Sequence, residues 1–219
     1  LPVEEGYFVV QDSIMGWAQA LDVLMESYFL GRVRPQFDYG NIRPKNSYLV
    51  TTGAKAPGPA PLKYMLELVE AKLKKALGRK LTSLECHDIV CIISDCVLAG
   101  GIRRSACISL FDRDDAEMLT CKHGEWWNHA PWRARANNSA VLPRSEVSKE
   151  EFEYIFKMCK DSNAGEPGFY WTNDFDKNYG TNPCVVGETE ILTKNGYERI
   201  DSLVDIETEI WTGFEWSVV

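Results

Sequence analysis

The chain has 219 residues and a formal net charge of −8 at pH 7, and 45% of its residues are hydrophobic. This length and apolar content suffice for one or two domains with a sizeable core. The acidic balance argues against direct binding of nucleic acid, although a local arginine cluster would still accept an anionic nucleotide. No apolar run approaches the length needed to span a bilayer, so we expect no membrane partner.

Seven cysteines are spread along the chain, and none forms a CxxC pair. Cys86, Cys91 and Cys96 follow one another at intervals of five residues, which suit no zinc site. An odd number of cysteines without a recognisable signal peptide is typical of reduced thiols in the cytoplasm. The sequence therefore predicts a cytoplasmic protein in which no residue is assigned to a metal.

Helices alternate with short apolar strands through most of the chain, which favours an α/β fold. In chain order the first predicted elements are a helix from Asp12 or Ser13 to Gly31, short strands and loops over 32–49, a turn-rich segment over 52–61, a helix over 61–77, a helix from Thr82 or Ser83 to Gly100, and a strand over 105–111.

The pattern of predicted secondary structure changes at Cys184. Before it, Ser148 and Glu151 form a capping box that opens an amphipathic helix, and residues 169–172 follow a turn as a strand. After it, the helical period disappears, and strands are predicted over 190–193, 197–200 and 209–211, with a hairpin turn at Asn195-Gly196. We therefore place a domain boundary between Pro183 and Cys184.

Two motifs carry side chains that suit a nucleotide site, although each also has a purely structural interpretation. Residues 99–106 place two glycines and two arginines after a helix, which suits close approach to phosphate but equally suits a helix cap with solvated arginines. In residues 135–141, three polar side chains that include Asn138 and Ser139 precede a small apolar strand, and they would line a polar pocket or form a plain turn. On local chemistry alone the turn is favoured.

A third motif, residues 180–184, ends on Cys184 beside an asparagine. This cysteine is a nucleophile or radical site in one interpretation and an ordinary loop thiol in the other. No Cys/His or Ser/His/Asp arrangement is apparent around His87, His123 and His129. Taken singly, none of the three motifs decides the function.

The order of the motifs resembles the adenosylcobalamin-dependent ribonucleotide reductases, and most closely the single-chain ribonucleoside-triphosphate reductases. The likeness covers nearly all of residues 5–183. Its blocks are Asn-Ile-Arg-Pro, Pro-Gly-Pro-Ala-Pro, Gly-Gly-Ile-Arg-Arg-Ser-Ala, Asn-Asn-Ser-Ala-Val, Gly-Glu-Pro-Gly and Gly-Thr-Asn-Pro-Cys. The resemblance implies part of a ten-stranded α/β barrel in which adenosylcobalamin generates a thiyl radical that removes the 3′-hydrogen of the ribonucleotide. The family makes the deoxyribonucleotides needed for DNA replication and draws electrons from a thioredoxin-type reductant.

The resemblance also assigns roles to individual residues. Asn182 matches the asparagine that holds the ribose hydroxyls, and Cys184 stands at the position of the radical cysteine. Asn138, Ser139 and Thr181 match positions that line the substrate site. The allosteric loop, through which a deoxynucleotide effector tunes substrate choice, corresponds to Gly100, Gly101, Ile102, Arg103, Arg104 and Ser105. Residues that contact the cobalamin are not assignable in this chain.

The sequence departs from the family after Cys184. The family continues with Gly-Glu-Ile, in which the glutamate is a base, whereas this chain has Val186 at the glutamate position. The pattern from Cys184 through Thr189 resembles the opening block of an intein, which is an all-β domain of the Hint type. This implies a reductase fragment over 1–183 and an N-terminal intein segment over 184–219.

On this interpretation Cys184 belongs to the intein and attacks the Pro183 carbonyl, and Thr189 belongs to the splicing block. The radical cysteine is then the first residue of the downstream segment, joined to Pro183 after splicing. The later blocks that complete splicing are absent, so we expect the isolated chain neither to splice nor to reduce nucleotides. Two alternatives stay open: a split-intein half that acts in trans with a C-terminal intein and extein half, and a fragment of a class I diphosphate reductase.

Overall fold

The computed structural model describes residues 5–49, 53–99, 106–173, 186–211 and 215–218. The chain forms two compact units, Leu1–Asp176 and Lys177–Val219. Across the described ranges, no helix is both long and apolar enough to cross a membrane. The expected domain boundary between Pro183 and Cys184 lies outside the described residues and stays a prediction.

The larger unit has the α/β character that the sequence predicts. Its elements in chain order are β1 (Glu5–Val9), α1 (Ile14–Phe29), β2 (Arg34–Asp38), α2 (Ala60–Lys75), α3 (Ser83–Leu98), β3 (Cys107–Asp112), α4 (Ala116–Leu119), α5 (Trp126–His129), a 3-10 helix (Pro131–Arg135), β4 (Ala136–Pro143), α6 (Lys149–Asp161) and β5 (Gly168–Thr172).

The described strands of this unit pair in parallel. β1 pairs with β2, and β4 lies between β3 and β5 in a separate sheet. Parallel neighbours need a long crossover connection, which α1 supplies between β1 and β2 and α6 supplies between β4 and β5. The described part of the chain therefore has α/β sheets, while closure into a barrel stays a prediction.

Two apolar clusters hold these elements together. The larger cluster packs α1, α2 and α3 against one another, with Leu24, Leu62 and Ile92 almost completely buried. The smaller cluster lies beneath the three-stranded sheet, where Leu142 of β4 and Ile155 of α6 are buried together. Burial of side chains of this size is the main favourable contribution to folding.

Side-chain caps fix the beginnings of α1, α3 and α6, as predicted. The Ser13 hydroxyl accepts from the backbone of Gly16 at the start of α1. Thr82 with Glu85 forms a capping box at the start of α3, and Ser148 with Glu151 forms another at the start of α6. Each box pairs two backbone N–H groups that a helix end would otherwise leave unsatisfied.

The turn favoured for Asn137, Asn138 and Ser139 is wrong, because the strand that was expected to follow them already begins at Ala136. Residues 136–143 form β4, which pairs with β3 on one side and β5 on the other. The sheet supplies backbone partners on both sides, so the local turn chemistry of Asn137, Asn138 and Ser139 does not decide the conformation. The short helices α4 and α5 are also absent from the sequence prediction.

The smaller unit is all-β in its described residues. It contains β6 (Glu190–Thr193), β7 (Gly196–Arg199), a 3-10 helix (Ile200–Leu203), β8 (Glu209–Trp211) and β9 (Trp216–Val218), with the antiparallel order β7-β6-β8-β9. The predicted strands over 190–193 and 209–211 are confirmed. The hairpin lies one residue earlier than predicted, because Gly196 pairs with Thr193 and leaves Lys194 and Asn195 as the loop.

Candidate functional site

The two substrate-site candidates on β4 lie on opposite faces of the sheet. Successive strand residues point to opposite sides, and burial along β4 alternates accordingly. Asn138 is 1% exposed and faces the core, whereas Ser139 is partly exposed on the other face. Of the two, Ser139 is the side chain that a bound molecule would reach. A substrate contact for either residue stays a prediction.

The Asn138 amide is fixed by two side chains from other elements. Its Oδ1 lies 2.9 Å from His87 Nε2, and its Nδ2 donates to Cys121 Sγ at 3.1 Å. An amide oxygen only accepts hydrogen bonds, so this pairing requires that Nε2 of His87 carries a hydrogen. Asn138 therefore joins α3 and the segment after α4 to the central strand.

A Cys/His contact that the sequence analysis missed lies beside this amide. Cys91 Sγ is 3.7 Å from His87 Nε2 and 3.9 Å from Nδ1, one helical turn away on α3. Burial raises the pKa of the Cys91 thiol to about 12 and also raises the pKa of Cys121. The raised pKa disfavours the thiolate, which is the nucleophilic form, at both cysteines. The i,i+4 spacing of His87 and Cys91 was the available sequence signal.

A buried ionic cluster adjoins His87. Asp88 is 1% exposed and accepts two hydrogen bonds from Arg133, at 2.7 and 2.9 Å, and one from Lys72. Burial acts to raise the pKa of Asp88, but the bonds from Arg133, His87 and Lys72 outweigh it and hold this pKa well below its ordinary value. Arg133 also donates to the Cys121 carbonyl at 2.6 Å, which attaches that segment to α3.

A second buried ion pair joins Lys122 to Glu166. Lys122 is 6% exposed, and its Nζ donates to the Ala136 carbonyl and, at 2.9 Å, to Glu166 Oε1. The other Glu166 oxygen accepts from the backbone N–H of Asn138 at 3.2 Å. Glu166 lies just before β5 in the sequence, and its carboxylate thus contacts the first residues of β4.

The opposite face of the sheet is open at Ser139. Ser139 is in register with Gly168 of β5, and a Cβ at position 168 would lie 2.6 Å from the Ser139 Oγ. Glycine at position 168 therefore lets the hydroxyl occupy its present position. Within the described part of the chain, the Ser139 hydroxyl has no hydrogen-bond partner, so it is available to a ligand on this face.

The remaining predicted site residues divide between the described and undescribed parts of the chain. Thr189 is described: its N–H donates to the Val186 carbonyl at 2.9 Å, and its carbonyl accepts from Ile200 at 2.8 Å. The others lie outside the described residues and stay predictions. These are Gly100, Gly101, Ile102, Arg103, Arg104, Ser105, Thr181, Asn182, Pro183 and Cys184.

Curated proteins provide the comparison that bears on identity. The chain is 31% identical over 168 residues to a Dictyostelium discoideum protein named "probable adenosylcobalamin-dependent ribonucleoside-triphosphate reductase", covering 76% of this chain and 21% of that protein. It is 32% identical to the adenosylcobalamin-dependent ribonucleoside-triphosphate reductase of Lactobacillus delbrueckii subsp. bulgaricus, over 87% of this chain and 27% of that protein. The chain is similar to a segment of these reductases.

Further comparisons concern the fold and the extent of the likeness. A crystal structure of a B-12 dependent (class II) ribonucleotide reductase superposes with a TM-score of 0.64 and 24% identity, over 90% of this chain and 25% of that one. This chain thus shares the fold of part of a class II reductase. It spans about a quarter of the length of the relatives it matches. No family model matches it.

Proposed function

We propose that the larger unit is part of the catalytic subunit of an adenosylcobalamin-dependent ribonucleoside-triphosphate reductase. The observation that carries this proposal is the 31–32% identity to reductases of that name over three quarters or more of the chain. The shared class II fold supports it. The proposed reaction replaces the 2′-hydroxyl of a ribonucleoside triphosphate with hydrogen, with electrons from a thioredoxin-type reductant.

The open face of the β3-β4-β5 sheet is the proposed substrate side of this unit. The unpaired hydroxyl of Ser139, placed over Gly168, is the described group best suited to contact the nucleotide. Asn138, buried behind it, has the role of holding the strand. Asn182 and the loop 100–105 keep their proposed roles in ribose binding and in the response to a deoxynucleotide effector.

The groove between α2 and α3 is too small for the cobalamin. The groove has a volume of about 120 Å³ and is lined largely by apolar side chains such as Met65, Leu68 and Ile92. That volume lies below the usual range of small-molecule sites, and the cofactor is far larger than a typical small ligand. His87 is buried in its contact with Asn138 and is unavailable as a cobalt ligand. We therefore assign no cofactor contact to these residues.

The decisive experiment compares substrates and cofactors in the full-length reductase that contains this chain. We expect reduction of ribonucleoside triphosphates only when adenosylcobalamin and a dithiol are present, and no reduction by the 219-residue chain alone. Preferential reduction of diphosphates without cobalamin would overturn the proposal in favour of a class I enzyme. Reduction by the isolated chain would overturn the proposed boundary at Cys184.

A second proposed function, protein splicing, concerns the smaller unit. The described residues of this unit contain no buried apolar side chain, and several large ones are more than half exposed: Val186, Tyr197, Val204, Ile206 and Val218. So small a sheet without a buried core needs a covering partner. A complementary C-terminal intein segment would supply that cover.

The proposed first step of splicing is an acyl shift at the Pro183–Cys184 bond. The Cys184 sulfur attacks the Pro183 carbonyl carbon, the C–N bond breaks, and the released Cys184 amine takes up the thiol proton. With a complementary intein fragment added, we expect a small thiol such as dithiothreitol to cleave the chain at this bond. Cys184→Ala should abolish the cleavage, and cleavage that persists in this variant would rule the step out.

A further inference from the structure

The Lys122–Glu166 pair occupies an unusual place at the beginning of two neighbouring strands. Glu166 lies two residues before β5, so it contributes no rung to the β4–β5 ladder. Its carboxylate nevertheless accepts the backbone N–H of Asn138, the residue just before the first β4–β5 register pair, Ser139 and Gly168. A side chain thus extends the ladder by one step beyond the backbone of β5.

Lys122 fixes the carboxylate that makes this extra step. Its Nζ bonds Glu166 and the carbonyl of Ala136, so one ammonium group links the β5 approach to the first residue of β4. The group is almost completely buried and its partner is only 16% exposed, so neither end is free to move through solvent. A charge-assisted bond of this kind has strong distance and direction requirements.

We propose that Lys122 is a positioning residue for nucleotide binding: through Glu166 it sets the offset between β4 and β5 that presents the Ser139 hydroxyl over Gly168. This inference rests on the proposed function, in which Ser139 contacts the substrate. Lys122 itself is only 6% exposed. Its proposed effect on binding passes through Glu166 and Ser139.

The test is a double-mutant cycle in the full-length reductase, with KM, kcat and the thermal unfolding midpoint measured for each variant. We expect Ser139→Ala and Lys122→Met each to raise KM for the ribonucleoside triphosphate, on the order of tenfold, because small displacements of a positioning group have effects of this size or larger. Lys122→Met should lower kcat much less. In the Ser139→Ala background, Lys122→Met should leave KM unchanged while still lowering the unfolding midpoint.

Two further variants separate positioning from simple stabilisation. Lys122→Arg keeps a charged donor and should recover most of the KM of the parent enzyme. Glu166→Gln keeps an acceptor for the Asn138 N–H but removes the partner charge of Lys122. It should reproduce the rise in KM even if Lys122→Met does not fold. Arg32→Met, which breaks a more exposed ion pair with Glu26, is the matched control and should leave KM unchanged.

The outcomes distinguish the positioning role from the proposed site itself. If Ser139→Ala raises KM but the effect of Lys122→Met adds to it in full, Lys122 does not act through Ser139 and the inference is overturned. The same holds if neither Lys122→Met nor Glu166→Gln changes KM. If Ser139→Ala alone leaves KM unchanged, the assignment of Ser139 to the substrate site is wrong, and the inference is overturned with it.

Discussion

His87 Nε2 lies 2.9 Å from Asn138 Oδ1, although the two residues are 51 positions apart in the sequence. This bond connects α3 to the central strand of the three-stranded sheet from the buried side. The open side of the same strand carries Ser139. The position of the candidate substrate face therefore depends on side chains that a ligand never contacts.

Removal of the buried His87 ring should destabilise the chain, although no exposed group is lost. His87→Ala leaves the buried Asn138 oxygen without its donor, and an unsatisfied buried polar group costs about 1–3 kcal/mol. We expect a fall of that size in the free energy of unfolding, measured by urea titration of the full chain. His129→Ala, at an exposed histidine, is the control and should have a much smaller effect. Equal effects of the two variants would contradict this assignment.

Asp88 should be the most sensitive acidic residue of the described core. Asp88→Ala leaves Arg133 buried and without its carboxylate, and breaking a buried ion pair in this way costs about 3–5 kcal/mol. The matched variant is Asp95→Ala, which breaks an exposed pair with Arg135 in which both side chains are about 40% exposed. That change should cost less than about 1 kcal/mol. The measurement is the urea midpoint of each variant. If the ionic cluster did not support the fold, Asp88→Ala would lower the midpoint no more than Asp95→Ala does.

Stability should fall in mild acid through Glu70. Burial acts to raise the pKa of Glu70, but hydrogen bonds from Arg34, Tyr28 and Lys74 dominate and lower it from 4.5 to about 2. Because the folded-state pKa is depressed, the contribution is complete above the unfolded pKa and is lost as the pH falls from about 4.5 towards 2.

The measurement for Glu70 is the urea midpoint of the parent chain and of Glu70→Gln at several pH values. The difference between the two should be largest near neutral pH and should shrink below pH 4.5, where the parent carboxylate begins to take up a proton. Glu153→Gln, at an exposed pair with Lys149, serves as the control and should change little at any pH. A Glu70 difference that grows in acid would have the wrong sign for this mechanism.

A methyl group at position 168 should force the Ser139 hydroxyl out of its present position. The new Cβ would lie 2.6 Å from the Ser139 Oγ but 3.6 Å from its Cβ. We expect Gly168→Ala to cost about 1–3 kcal/mol, as overpacking usually does. In the double variant with Ser139→Ala most of that loss should be recovered, which a thermal unfolding cycle would detect. Simple additivity of the two changes would show that the hydroxyl is not the obstacle.

Local sequence signals were sufficient for the long helices of the larger unit but not for the short helices α4 and α5. The capping boxes at Thr82 and Ser148 are encoded within four consecutive residues, so both helix starts could be predicted from the sequence. The strand at 136–143 could not, because its polar start resembles a turn and only pairing with β3 and β5 makes it a strand. Short-range chemistry predicts caps, whereas parallel pairing depends on distant segments.

The buried polar network was not predictable for the same reason. The sequence showed Asn138 and Ser139 as neighbours in one polar motif, yet strand geometry sends one side chain to the core and the other to the open face. The partners of Asn138, His87 and Cys121, come from two other elements. In the smaller unit, pairing of Gly196 with Thr193 moved the hairpin loop by one residue.

Lys122 and Glu166 are in contact but lie far apart in the sequence, and this affects folding during synthesis. Glu166 follows Lys122 by 44 residues, so a ribosome working at about 5–20 residues per second adds it roughly 2–9 seconds later. During that interval the ammonium group of Lys122 has no carboxylate, and the β4 segment cannot complete its polar contacts. The helices upstream have their local contacts from the start, whereas the nascent sheet matures only after Glu166 has left the exit tunnel.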